Sequence, residues 1–164
     1  GRSNYLRETH DAQRAVDICR ASSSLPYVSK IVEVDGQPML DGGIIDSIPV
    51  ERAMATGHPF NVVISTRNLG FREDGKDRRI PYFVYKNYPR LRVALSHRIE
   101  AYNHQLQLLE DLERQGRVAC LRPRRPMEVR RIEKNVERLE RLYEEGFSIG
   151  EEFVLGNDFS CAAT

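Results

Sequence analysis

Apolar residues recur at helical spacing over residues 10–20, where Ala12, Ala15, Val16 and Cys19 occupy i, i+3, i+4 and i+7. The pattern predicts a short amphipathic helix with Thr9 as its N-cap. Ala21 to Pro26 is a Ser-rich loop closed by a proline. Residues 30–34 read as a strand, Asp35-Gly36 as a turn, and Gln37 to Asp41 as the returning strand of a hairpin. Pro49 suits the first turn of a helix that reaches about Thr56, with Gly57 at its C-terminal stop. Within Asn61 to Ser65, Val62-Val63-Ile64 is a continuous apolar run, the habit of a parallel strand covered on both faces. Strand, helix and strand in this order predict a βαβ unit with a right-handed crossover.

Residues 71–79 form a polar loop and a candidate boundary. Beyond it the spacing predicts a helix over about 91–115, with Leu95, Ile99, Tyr102, Leu106, Leu109 and Leu112 on one stripe and Gly116 as its stop. Val118 to Leu121 reads as a short strand, ended by Pro123 and Pro126. A second long helix is predicted over about 127–145, with Val129, Ile132, Val136, Leu139 and Leu142 or Tyr143 on its stripe. Both stripes read as packing surfaces rather than as a cofactor or membrane face. The fold class is α/β: part of a mainly parallel sheet in residues 1–79, then a mainly helical module with one short strand in residues 80–164.

Composition narrows the function classes. The 164 residues are 40% apolar and 30% charged, with a formal net charge of +1. That balance suits a soluble globular protein and offers no global field for nucleic acid or an anionic membrane. The cations are 21 Arg against 4 Lys; Arg forks suit carboxylate and phosphate, though a general coding bias gives the same ratio. Arg122, Arg124, Arg125, Arg130 and Arg131 lack interleaved aromatics and read as a solvated face or as partners in ion pairs. Cys19, Cys120 and Cys161 lack disulfide or zinc spacing. Cys19 and Cys120 sit in apolar runs and read as buried thiols of a cytoplasmic protein. His10, His58, His97 and His104 show no metal spacing, so neither a metal nor a cofactor is expected. No apolar run approaches the roughly 20 residues of a spanning helix.

The stretch from residue 15 to residue 68 carries the chemical signal. Arg20-Ala21-Ser22-Ser23-Ser24-Leu25-Pro26 is followed by Asp41-Gly42-Gly43-Ile44-Ile45-Asp46-Ser47-Ile48-Pro49-Val50, then by Val62 to Asn68. In this order and spacing the set resembles the C-terminal half of the patatin domain of lipid acyl hydrolases. Members of that family have a Ser-rich segment ending in Pro, a strand ending in Asp-Gly-Gly or Asp-Gly-Ala, a Pro-Val helix start and a Val-rich strand. Residues 82–146 further resemble the C-terminal extension of a bacterial patatin-like group, with a Tyr-Pro-x-Leu-Arg start at Tyr88 to Arg92 and a late Leu-Tyr-x-x-Gly at Leu142 to Gly146.

The resemblance implies that Asp41 is the proton acceptor of a Ser–Asp dyad, with Gly42 and Gly43 completing the motif. The chemistry implied is acyl transfer to a serine followed by release of the fatty acid by water. Its partners would be a lipid or carboxylic ester, phospholipid above all, with peripheral contact at a membrane surface and no nucleic acid. Asp41 stands at the C-terminal end of the returning strand, where open α/β sheets gather their sites. The two glycines remove side chains, so a backbone or a substrate can come close.

The family's serine and its Gly-rich oxyanion loop lie upstream of the Asp, and neither is found in residues 1–40. The chain therefore reads as beginning within a domain, expected to be inactive alone and to self-associate through a raw sheet edge. Gly146-Phe147-Ser148-Ile149-Gly150 matches G-x-S-x-G, but an elbow needs a strand before the serine. Here Gly146 reads as a helix stop, and Ser148 with Glu151 as a capping box. Asp46 reads as a helix cap rather than as a second site carboxylate. A rival reading is a non-catalytic interaction module that uses the paired C-terminal helices.

Overall fold

A computed structural model of the chain describes residues 1–58, 60–75, 80–81, 83–129 and 132–156. Two compact units are built from interleaved segments. The first comprises Gly1–Pro49 and Glu73–Gln105, the second Val50–Arg72 and Leu106–Thr164. Helices and two small sheets, one of them parallel, make a mixed α/β structure.

In the first unit, helix α1 (Ala12–Ser22) is capped by Asp11, whose carboxylate accepts from Arg14 N at 3.0 Å. Thr9 is not the cap. Glu8 turns back ahead of the helix, and its carboxylate accepts from the backbone N–H of Thr9, His10 and Asp11 and from Arg14. These donors, the His10 N–H first, hold the Glu8 carboxyl at about 2. The expected stripe is not the inner face of α1: Val16 and Cys19 are exposed, while Ala21 is buried and Ile18 half-buried.

The hairpin forms as expected, from β1 (Val32–Val34) and β2 (Gln37–Met39), paired antiparallel with Val34 opposite Gln37. Asp35 and Gly36 take φ of 52° and 71°, the pair of left-handed residues that a two-residue turn needs to match strand twist. Arg14 forks onto Asp35, Nε to Oδ1 at 3.0 Å and Nη2 to Oδ2 at 2.7 Å, which ties the hairpin tip to α1. Val34 and Ala21 are buried, as is Ile44 in the single 3-10 turn Gly42–Ile44.

Helix α3 (Pro89–Ser96) starts on a proline at its first position, and α4 (Arg98–Arg114) follows it. The single helix expected over 91–115 is thus broken at His97. Val93 O collects the His97 N–H at 3.2 Å and the Ser96 hydroxyl at 2.8 Å, and His97 Nδ1 lies 3.0 Å from it. Such local side-chain bonds compete with the continuing helix.

In the second unit, α2 (Val50–Ala55) ends at Gly57, whose φ of 93° marks the stop expected there. Strand β3 (Asn61–Ile64) pairs in parallel with β4 (Val118–Leu121), with Asn61 opposite Val118 and Ile64 opposite Leu121. The expected βαβ unit is therefore not formed. β2 belongs to the antiparallel hairpin, and the parallel partner of β3 comes from 57 residues further along, by the register of Asn61 and Val118. Nor is β3 covered on both faces, because Val62 is 47% and Ile64 80% exposed. The buried residues of this unit are Val50, Leu106, Leu109, Leu112 and Val118; the three leucines recur every third residue along α4.

Helix α5 (Val136–Gly156) begins nine residues after the expected start and runs through the glycine expected to end it. Glu133 accepts from the backbone N–H of Lys134 and Asn135, and Asn135 Oδ1 accepts from Arg138 N at 3.0 Å, so the helix opens after Asn135. Gly146 and Gly150 lie inside the helix, each costing about 1 kcal/mol relative to alanine. Arg124 spans this stretch, donating its backbone N–H to Glu145 at 2.9 Å and its guanidinium to Glu152, two turns on. Leu142, Ile149 and Phe153 are half-buried on that side. Ser148 is therefore not a cap: its hydroxyl donates to Glu152 Oε1 at 3.2 Å from within the helix.

Two substitutions check this assignment by chemical or thermal melts. Asn135→Ala should cost about 0.5–2 kcal/mol by removing a cap. Ser148→Ala should change stability by no more than about 0.5 kcal/mol, because alanine favours a helix interior and the lost bond is exposed.

Candidate active site

Asp41 lies two residues beyond the end of β2 rather than on the strand itself, at the N-terminus of the 3-10 turn. Its backbone N–H donates to Ser24 O at 3.0 Å, tying it to the segment that follows α1. Ser24 is buried there, and its hydroxyl donates to Arg20 O at 2.6 Å. This is the role of the Ser-rich run: its small side chains let the chain turn under the loop while keeping its own polar groups paired. The Asp41 carboxylate is half-buried and anchored on one side, with Oδ1 accepting from Gly43 N at 2.7 Å. Among the described residues Oδ2 accepts no hydrogen bond.

The two glycines do different work. Neither has a left-handed φ, so their use is space rather than backbone freedom. A Cβ on Gly42 would meet nothing within 4 Å. A Cβ on Gly43 would stand 3.0 Å from Asp41 Oδ1. The second glycine thus gives the carboxylate room to reach the N–H behind it.

Asp41 and Gly42 line a cavity of about 710 Å³ within the first unit. Met39, Leu40, Ile44 and Ile45 form its wall on the loop side, and Tyr88 and Leu91 come from the start of α3. The volume falls in the range of small-molecule sites, and the wall is mixed, with Arg2, Asn4, Asn87 and Arg90 beside the apolar residues.

Asp46 is not a helix cap. Its Oδ2 accepts from the Tyr5 hydroxyl and its Oδ1 from Gln105 Nε2 at 2.8 Å. The Ser47 hydroxyl donates to Gly43 O at 2.7 Å. Tyr5 and Gln105 escaped sequence reasoning. In the sequence Gln105 is a polar residue next to Leu106 of the helical stripe, and neither it nor Tyr5 carries a motif.

The other candidates separate from this site. Ser148 sits in a helix interior, so the strand–turn–helix that an elbow needs is absent around it. Two members of the arginine cluster form ion pairs, Arg122 with Glu113 and Arg124 with Glu152, and Arg125 is exposed; Arg130 and Arg131 lie outside the described residues. Cys120 is half-buried and burial pushes its thiol up, whereas Cys19 is exposed rather than buried; Cys161 lies outside the described residues. No group of three or more His, Cys, Asp or Glu able to hold a metal occurs among the described residues. No helix there is long and apolar enough to cross a membrane.

Comparison with known families places matches on two segments. Residues 2–54 match the family model described as patatin-like phospholipase. Residues 88–155 match a domain of unknown function, DUF6363. No curated protein matches the chain.

The unequal roles of the glycines are open to test by melting. Gly42→Ala should alter stability by less than about 0.5 kcal/mol. Gly43→Val should cost about 1–3 kcal/mol, because the branched side chain must displace the Asp41 carboxylate or shift the loop.

Proposed function

As residues 2–54 match the family model of patatin-like phospholipase, we propose that this chain supplies Asp41 as the proton acceptor of a serine lipid acyl hydrolase whose nucleophile lies outside residues 1–164. The observation that carries this reading is the Asp41 carboxylate on the wall of a partly apolar cavity, pinned through Oδ1 and, among the described residues, without a hydrogen bond at Oδ2. A serine hydroxyl attacks the ester carbonyl and passes its proton to Asp41. The tetrahedral oxyanion is held by N–H donors and collapses to an acyl-serine as the alcohol leaves with a proton. Water, deprotonated in turn by Asp41, then releases the fatty acid. The apolar part of the wall suits an acyl chain, and phospholipid is the favoured substrate class. The protein acts from the cytoplasm in peripheral contact with the membrane that holds its substrate. The matched segments leave residues 55–87 between them, which supports a sequence division near residue 79.

The catalytic reading rests on two measurements. Asp41→Asn in the full-length protein should lower kcat about 10²-fold or more with little change in KM, since asparagine keeps the shape and loses the proton affinity. The 164-residue chain alone should hydrolyse neither p-nitrophenyl esters nor phospholipids above background. Normal kcat in a folded Asp41→Asn variant, or turnover by the chain alone that a serine-directed phosphonate blocks, overturns it.

A non-catalytic interaction module is the second reading, favoured by one observation. Val136, Leu139, Tyr143, Phe147 and Val154 are all exposed along one side of α5, an apolar stripe of the kind that binds partners. Self-association of the isolated chain is a separate expectation, supported by exposed Val62 and Ile64 on β3, which pairs only with β4 among the described residues. Light scattering at high concentration should find dimers or larger species; a strictly monomeric chain removes this expectation.

A further inference from the structure

We infer that Gln105 is a positioning residue for Asp41, clamping the loop that follows it, and that the start of the C-terminal helical segment, up to Gln105, thereby belongs to the active site; this rests on the catalytic reading of Asp41. The carboxamide of Gln105 meets the loop at four points. Its Oε1 accepts from the backbone N–H of Ser47 at 3.0 Å and of Ile48 at 3.2 Å. Its Nε2 donates to Asp46 Oδ1 at 2.8 Å and to Ile45 O at 3.4 Å. A primary amide is the side chain that can do this, because it offers two lone pairs and two N–H groups from one planar end.

The start of the loop is held by its own backbone, with the Ile45 and Asp46 N–H groups donating to Gly42 O at 3.1 and 2.9 Å and the Tyr5 hydroxyl donating to Asp46 Oδ2, whereas the Ser47 and Ile48 N–H groups are taken by Gln105. Residues 45–48 belong to no strand, so no ladder pairs their backbone. From Ser47 the connection continues inward, with Ser47 Oγ donating to Gly43 O at 2.7 Å and Gly43 N donating to Asp41 Oδ1 at 2.7 Å. Gln105 thus ends a short relay of hydrogen bonds whose other end is the carboxylate oxygen that orients Asp41. Losing the clamp frees two backbone donors and the Asp46 acceptor, and lets the Gly43 N–H drift with the loop. A displacement of about 1 Å at a reacting group is enough to cost about 10²-fold in rate.

Gln105 lies on α4, inside the segment that matches the domain of unknown function, whereas every loop group it holds lies in residues 45–48, inside the patatin-like match. Both ends of the contact fall in the same compact unit. The start of the C-terminal segment, up to Gln105, is accordingly part of the architecture around Asp41, and its role at this point is to hold a loop still.

The test uses the full-length protein. Gln105→Leu should raise amide hydrogen exchange at Ser47 and Ile48 about 10-fold or more and lower kcat about 10-fold or more with KM within about twofold. Gln105→Glu keeps the acceptor for the two N–H groups but sets a carboxylate against Asp46, so it should also slow turnover. Adding Asp46→Asn should rescue it, because the new amide donates to that carboxylate and still accepts from Tyr5. Unchanged exchange at Ser47 and Ile48 overturns the clamp, whatever the activity. Raised exchange with normal kcat, or no rescue by the double variant while each single variant folds, overturns the link to the chemistry. Normal kcat in Asp41→Asn would instead remove the catalytic reading, and the exchange measurement tells the two failures apart.

Discussion

Irregular backbone that is half-buried must still find partners for its N–H and C=O groups. Residues 41–48 meet this constraint without a sheet, through the backbone bonds of the 3-10 turn, in which the Ile44, Ile45 and Asp46 N–H groups donate to the Asp41 and Gly42 carbonyls, and through side chains. Asp41 takes the Gly43 N–H, Ser47 takes the Gly43 carbonyl, and Gln105 takes the Ser47 and Ile48 N–H groups. The segment therefore has a defined shape without belonging to any strand. Its anchors come from Ser24 after α1 and from α4. The position of Asp41 depends on both, which makes the candidate site a product of segments far apart in sequence.

The same competition between side chains and the regular ladder sets where helices begin and end. The serine and histidine at 96 and 97 gather at the Val93 carbonyl and break one expected helix into two. Glu133 and Asn135 take the N–H groups ahead of α5 and delay its start. Ion pairs work in the other direction. Arg124 reaches Glu145 and Glu152 and carries α5 past two glycines that local preference would treat as stops. These contacts are each modest at exposed positions, yet they decide boundaries, because a helix end is nearly balanced between continuing and fraying.

The matched segments differ in what can be said of their chemistry. The first carries a carboxylate at a cavity; the second carries a helix whose polar residue reaches the loop beside that carboxylate. The exposed α5 stripe of the second leaves room for a separate binding role on the same segment.

By itself the sequence determined the features that depend on neighbours a few residues apart. Asp35-Gly36 sets the hairpin turn because adjacent left-handed residues reverse a strand. Gly57 and Gly116 take positive φ, at 93° and 69°, and stop their helices where expected. Val118–Leu121 is a strand between two breakers, and the ordered run around Asp41-Gly42-Gly43 marked the candidate carboxylate. Tertiary structure decided which strands pair, because an apolar run such as Val62-Val63-Ile64 states a preference for burial and not the identity of a neighbour. It decided that Ser148 lies in a helix interior, because Arg124, 24 residues earlier, supports the helix there. It also decided the roles of Tyr5 and Gln105. Their hydrogen bonds to Asp46 span 41 and 59 residues, and a polar side chain carries no periodic signal of the distant group it will meet.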